Sequence, residues 1–268
     1  MNSIVSNGVS PIGRWRYLLL PAALGAGALL VFGVGLDPTL VYSEVLAAAI
    51  FLATLPLGAA LFAAIGVCMG ATWWQPLHGV FTHLARYIVV PAVAIGVILA
   101  VGAIHIYSWT DPVVAAGHVV HQKIAWLNLW FFWGRAAAVL LLWIWMCFGL
   151  SRRIQTAIEE PSAKATARMV RSGILFVILF GITISVAWWD WLMSIEPEWF
   201  STMQGVYGFS AVVLGGIALV TALALYWEKQ GRLKLTDGQL HDLGKMLFAF
   251  SFFWGYIWFC QFMLIWYS

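Results

Sequence analysis

Runs of twenty or so consecutive apolar residues recur along the whole chain. Each is long enough to cross the roughly 30 Å hydrocarbon core of a bilayer as a helix. A soluble helix needs an apolar stripe, not apolar residues on every face, so the pattern restricts the chain to an all-α integral membrane fold. Charged residues make up only 9% of the 268, against about 25% in soluble domains. Seven spans follow, at about 15–35, 44–70, 87–108, 126–150, 172–195, 202–226 and 243–267, in a single polytopic domain over residues 1–268. The first run, Trp15 to Gly35, lacks a small-residue cleavage site, so it reads as a spanning helix rather than a removable signal. No soluble domain, nucleotide-binding loop or low-complexity tract separates the spans, and no feature points to nucleic acid.

The breaks between spans are informative. "SRRIQTAIEEPSAKATARMVRS" (151–172) reads as a polar connector. "WWQPLHGVFTHLAR" (73–86) has apolar residues at 73, 74, 77, 80, 81 and 84, the spacing of a short helix lying in the membrane interface. With the N-terminus in the cytoplasm, twelve of the fourteen Lys and Arg residues fall on the cytoplasmic side, leaving Lys123 outside and Arg135 within a span. That asymmetry sets the expected orientation. It makes the stretch "WWDWLMSIEPEWFSTMQGVYGF" (188–209) an outer hairpin between spans five and six. There, Trp188, Trp189 and Trp199 read as members of the aromatic belt at the membrane boundary. Ser201 and Gln204 have capping-box spacing for the start of span six.

Asp190 fits the hairpin less simply, because it lies about 7 Å inside the boundary at 1.5 Å per residue, and Arg135 lies about 14 Å inside from the same side. Charges at such depths are costly unless paired, and an Arg side chain reaches about one helical turn, so the two are expected to meet. Gln261 in span seven falls at nearly the depth of Asp190. His105, near the outer end of span three, adds an imidazole, a side chain type able to exchange protons. With Glu196 in the hairpin, these residues form a candidate proton-relay or quinone-headgroup site, and the competing reading is an ion pair that only fixes helix register.

Other chemistries find less support. Cys68, Cys147 and Cys260 lie in three different runs without metal or disulfide spacing. His118 and His121 sit in an outer loop, and only His105 lies within a span, whereas a bis-histidine haem needs one axial His from each of two facing helices. His78 and His83 belong to the interfacial helix and His241 to a loop. Lys245 stands at the cytoplasmic edge of the last span, too shallow for a Schiff base to retinal. Gly66 and Gly70 form a GxxxG pair, and Gly205, Gly208, Gly215 and Gly216 line span six, as expected where helices approach closely. The aromatic residues of span seven cover all its faces and read as lipid and core packing. Only Pro56 interrupts a span near its middle and no internal repeat is visible, so the inverted-repeat pattern of many transporters is missing.

The blocks "WDWLMSIEPEWFSTMQGVYGF", "GATWWQPLHGV", "LNLWFFWGRAAAV" and "LGKMLFAFSFFWGYIWFCQFMLIWY" resemble the F subunit of bacterial alternative complex III, a membrane subunit of the NrfD-like, polysulfide-reductase type. The resemblance runs from about residue 55 to the last residues. It implies an all-helical inner-membrane subunit built around four-helix bundles, in a quinol:electron-acceptor oxidoreductase of the respiratory chain. It further implies a chain without a redox centre of its own, beside an NrfD-like sister subunit. Iron–sulfur clusters and haem c would lie in partner subunits, the latter in a multihaem cytochrome c, with quinol nearby and a terminal oxidase as a further partner. The family's proposed proton path maps onto Arg135, Asp190 and Glu196. Position 198 is Glu where many relatives carry His, which leaves a proton ligand there open. Relatives continue into further helices after the last block, so the chain reads either as a short form with an incomplete second bundle or as one whose second bundle is completed by a later segment or another chain.

Overall fold

The computed structural model describes residues 33–71 and 74–267. No strand occurs among them, and six helical segments are long and apolar enough to cross a membrane. The protein is a multi-pass, all-α membrane protein. Of the expected first span only residues 33–35 are described, and these are helical; the remainder lies outside the described residues. The other six expected spans each correspond to a helix, and most helices run beyond the apolar core.

Helix α1 (Pro38–Cys68) begins at Asp37, whose carboxylate accepts from Leu40 N, with Pro38 in the first turn. It ends at Gly70, whose φ of 61° is open to glycine at little cost. Helix α2 (His78–Arg86) passes through a turn at Tyr87–Ile88 into α3 (Val89–Ile106). The expected interfacial helix therefore exists, but its stripe is not laid on lipid. Trp74, Leu77, Val80 and Phe81 are buried, and α2 packs on α1 and on α4 (Leu129–Glu159). The physical reason is a cradle in α1, since a Cβ at Gly66 would meet the Trp74 ring at 2.4 Å. Gly66 and Gly70 thus seat an indole and end a helix instead of forming a helix-pairing motif.

The 151–172 connector is also different from its expected form. α4 continues to Glu159 and α5 (Ala163–Trp191) starts after Ser162, whose hydroxyl accepts from Ala165 N at 3.1 Å. Only residues 160–162 are non-helical, because the polar residues extend both helices past the apolar zone and Pro161 stops the first. Helix α6 (Gln204–Lys229) starts without the expected Ser201–Gln204 capping box: Met203 occupies the cap position with no side-chain bond, and Ser201 N donates instead to the Met193 sulfur. A reciprocal box appears at α7 (Asp237–Tyr267), where Thr236 N donates to Gln239 Oε1 at 3.0 Å and Gln239 N to Thr236 Oγ1 at 3.3 Å.

α1 is the hub and packs on α2, α3, α5 and α6. Its closest crossing is with α6, where a Cβ at Gly58 would fall 2.2 Å from Val212 O and 2.6 Å from Gly216 Cα. Small residues there allow near backbone contact. Gly208 of α6 likewise admits Trp188, which is 4% exposed. Trp188 is therefore a core residue and not a boundary anchor. Helix α7 packs mainly on α6 and leaves Phe252, Tyr256, Phe259 and Trp266 exposed.

Candidate functional site

Two ends of the bundle can be told apart by their cross-links. At one, Lys123 Nζ donates to Pro197 O at 2.7 Å and the Tyr107 hydroxyl to Trp191 O at 3.0 Å, joining the 107–128 loop to the end of α5. At the other, Arg86 donates to Gln155, tying the α2–α3 turn to α4. Among the described residues, the one ion pair between helices lies at the first of these ends.

Asn128 caps α4 by accepting from Phe131 N at 3.0 Å, and Arg135 follows almost two turns later. Arg135 Nε donates to Asp190 Oδ2 at 2.6 Å and Nη2 to Asp190 Oδ1 at 3.1 Å, a bidentate pair between α4 and α5. Their side chains are 10% and 2% exposed. Trp126 completes the grip from the loop: its indole N–H donates to Asp190 Oδ1 at 2.7 Å, and its carbonyl accepts from Arg135 Nη2 at 3.1 Å. The guanidinium carbon lies 4.0 Å from the Trp126 ring centre and 4.2 Å from that of Phe131. Each such contact contributes about 0.5–2 kcal/mol, more as water is excluded. Three donors thus converge on one carboxylate, and two rings cover its partner. Arg135 Nη1 is the one donor of the group left buried without an acceptor.

The backbone below the carboxylate is held as well. Ser194 is buried and its hydroxyl donates to Asp190 O, so the turn after α5 folds back on the helix end. The Tyr107 hydroxyl is bonded to the carbonyl of Trp191, the residue that follows Asp190. Between the 123–127 loop and the 189–200 turn lies a largely apolar cavity of about 190 Å³, walled by Trp126, Trp189, Trp199 and Phe200 with Lys123 at its edge.

Of the five residues singled out in the sequence, the structure joins Arg135 and Asp190. His105 is exposed and stacks on Tyr42 of α1, with ring centres 5.4 Å apart. Glu196 is exposed in the turn, and no hydrogen bond from its side chain reaches the pair. Gln261 is buried at 7% exposure, and neither polar atom of its amide has a partner among the described residues. Sequence reasoning missed Trp126, Phe131, Tyr107 and Ser194. The signal for Trp126 was its place in the loop nine residues before Arg135, but a Trp at a span boundary has an ordinary explanation in the aromatic belt. Among the described residues, no three His, Cys, Asp or Glu side chains converge as metal ligands.

No family model matches the chain, and no curated protein matches its sequence.

Proposed function

We propose that the chain is a membrane-embedded scaffold subunit of a quinol-oxidising respiratory complex of the alternative complex III type, in the bacterial inner membrane. In this reading Arg135–Asp190 is a clamp. The observation that carries it is the saturation of Asp190: Arg135 Nε, Arg135 Nη2 and Trp126 Nε1 all donate to it. A carboxylate whose oxygens are already taken by three donors is a poor station for a passing proton, which would have to displace one of them. Neither His105 nor Glu196 is hydrogen-bonded to it. The four sequence blocks supply the family resemblance. α7, formed by the last of them, turns a broad aromatic face outward, which suits a helix that meets a neighbouring subunit.

Purification from source membranes in mild detergent tests the partnership. A multihaem cytochrome c, an iron–sulfur protein and an NrfD-like subunit are expected to copurify; recovery of the chain alone, or with a substrate flux in liposomes, removes the reading. Asp190→Asn separates clamp from relay. As a clamp, the variant lowers the yield of assembled complex while the complex that does assemble keeps its proton-to-quinol ratio. A normal yield with a reduced ratio assigns Asp190 to a proton path instead.

A further inference from the structure

The end of the bundle remote from the ion pair holds a cleft of about 570 Å³ between the last turns of α4 and the first turns of α5. Arg153, Thr156 and Glu160 line it from one side and Ser162, Lys164 and Arg168 from the other. Three cations face one carboxylate, and among the described residues Arg153, Lys164 and Arg168 form no ion pair. Arg153 is fixed by donating from Nη1 to Ser172 Oγ at 2.8 Å. It also lines a small adjoining recess with Trp145, Leu175 and Phe176, of which Trp145 and Leu175 are 52% and 40% exposed. A polar cleft therefore runs directly into an apolar, outward-facing wall. Arg153 stands eighteen residues after Arg135 on the same helix, about 27 Å along its axis. Arg135 itself lies about 14 Å inside its boundary, so Arg153, three residues past the apolar run that ends at Leu150, stands on the polar side of the opposite boundary, among the lipid headgroups.

We propose that this cleft is a binding site for an anionic phospholipid. The phosphate sits between Arg153, Lys164 and Arg168, an acyl chain lies over Trp145 and Leu175, and the Thr156, Ser162 and Glu160 oxygens take the hydroxyls of a glycerol headgroup. Guanidinium and ammonium groups together suit a phosphate diester, and the apolar recess distinguishes a lipid from a free anion, which has no use for it. The site does not depend on the respiratory assignment.

The test uses the full chain in neutral detergent, where no charged bilayer surface exists and only cations that touch the lipid contribute. Phosphatidylglycerol is titrated and its retention read by native mass spectrometry, with phosphatidylcholine and inorganic phosphate as comparison ligands. The wild type is expected to retain one phosphatidylglycerol in preference to phosphatidylcholine. R153Q/K164Q/R168Q is expected to weaken that retention at least tenfold, at roughly fivefold per cation as an upper scale. R152Q/R171Q/R232Q, which removes three basic residues outside the cleft lining, changes it less than twofold. Should the first triple variant fail to fold, K164Q/R168Q, which breaks no hydrogen bond in the structure, is expected to lose at least fivefold. Equal losses in the two triple variants, or no loss in the cleft variant, overturn the proposal. So does inorganic phosphate that binds the wild type with no phosphatidylglycerol retained, which makes the site one for a soluble anion.

Discussion

The α4–α5 hairpin carries an arginine near each end, and the two ends are built on opposite plans. Arg135 has a side chain only 10% exposed, binds one carboxylate in two places, and lies against two aromatic rings. Arg153 makes a single hydrogen bond, to the neutral Ser172 hydroxyl, and otherwise borders an open basic cleft. The same residue type on the same helix thus serves as a fastener at one end and as an unspent charge at the other. Depth is what separates them. A cation inside the apolar zone must be neutralised by the protein itself, whereas one at headgroup level is neutralised by its surroundings.

The largest effect is expected where that difference is removed. Arg135→Leu leaves the Asp190 carboxylate buried with only the Trp126 indole, and breaking a buried pair in this way costs about 3–5 kcal/mol. Replacing both partners by leucine returns most of the loss, because an apolar pair needs no solvation. Reversible unfolding in detergent, followed by helicity, measures both. If the single variant loses less than about 1 kcal/mol, water reaches Asp190 and the fastener description fails.

Trp126→Phe sharpens the comparison by removing one donor while keeping a ring over the guanidinium. A hydrogen bond to a charged group contributes about 1.5–3 kcal/mol, and the cation–ring contact with phenylalanine is retained in weaker form. The expected cost in the same unfolding assay therefore falls clearly below that of Arg135→Leu. Equal costs make Trp126 the principal partner of Asp190, with Arg135 secondary.

How far the sequence reveals this hairpin follows from the physics of each part. The spans are plain because apolar length is a local property, and the Arg135–Asp190 contact is plain because two costly charges at matching depths have few other solutions. Trp126 is hidden, since its bond to Asp190 joins a loop to a helix 64 positions away and no local pattern announces it. The 151–172 stretch misleads for a different reason: its charges mark where the membrane ends, not where the helices end. Counted along their spans, His105 and Gln261 fall near the level of Asp190, yet neither meets it. His105 faces Tyr42, and Gln261 has no hydrogen bond to the pair. Depth can be counted along a chain, while rotation depends on packing such as the Gly58–Gly216 crossing that seats α6 against α1.

The smallest effect is expected at the far end. Arg153→Gln removes a charge that is exposed and bonded only to a serine hydroxyl, and exposed polar contacts of this kind contribute about 0–1 kcal/mol. Glutamine keeps a donor of shorter reach, and the acceptor it leaves, the Ser172 hydroxyl, is itself neutral. Unfolding of the lipid-free protein in detergent should therefore shift by less than about 1 kcal/mol. Added phosphatidylglycerol is then expected to stabilise the wild type more than the variant, because a ligand that binds only the folded state raises its stability in proportion to occupancy. For Arg135→Leu the same lipid should leave the deficit unchanged, since that end is satisfied from within. A lipid-free loss at Arg153 as large as that at Arg135 makes both arginines fasteners, and the contrast between the two ends disappears.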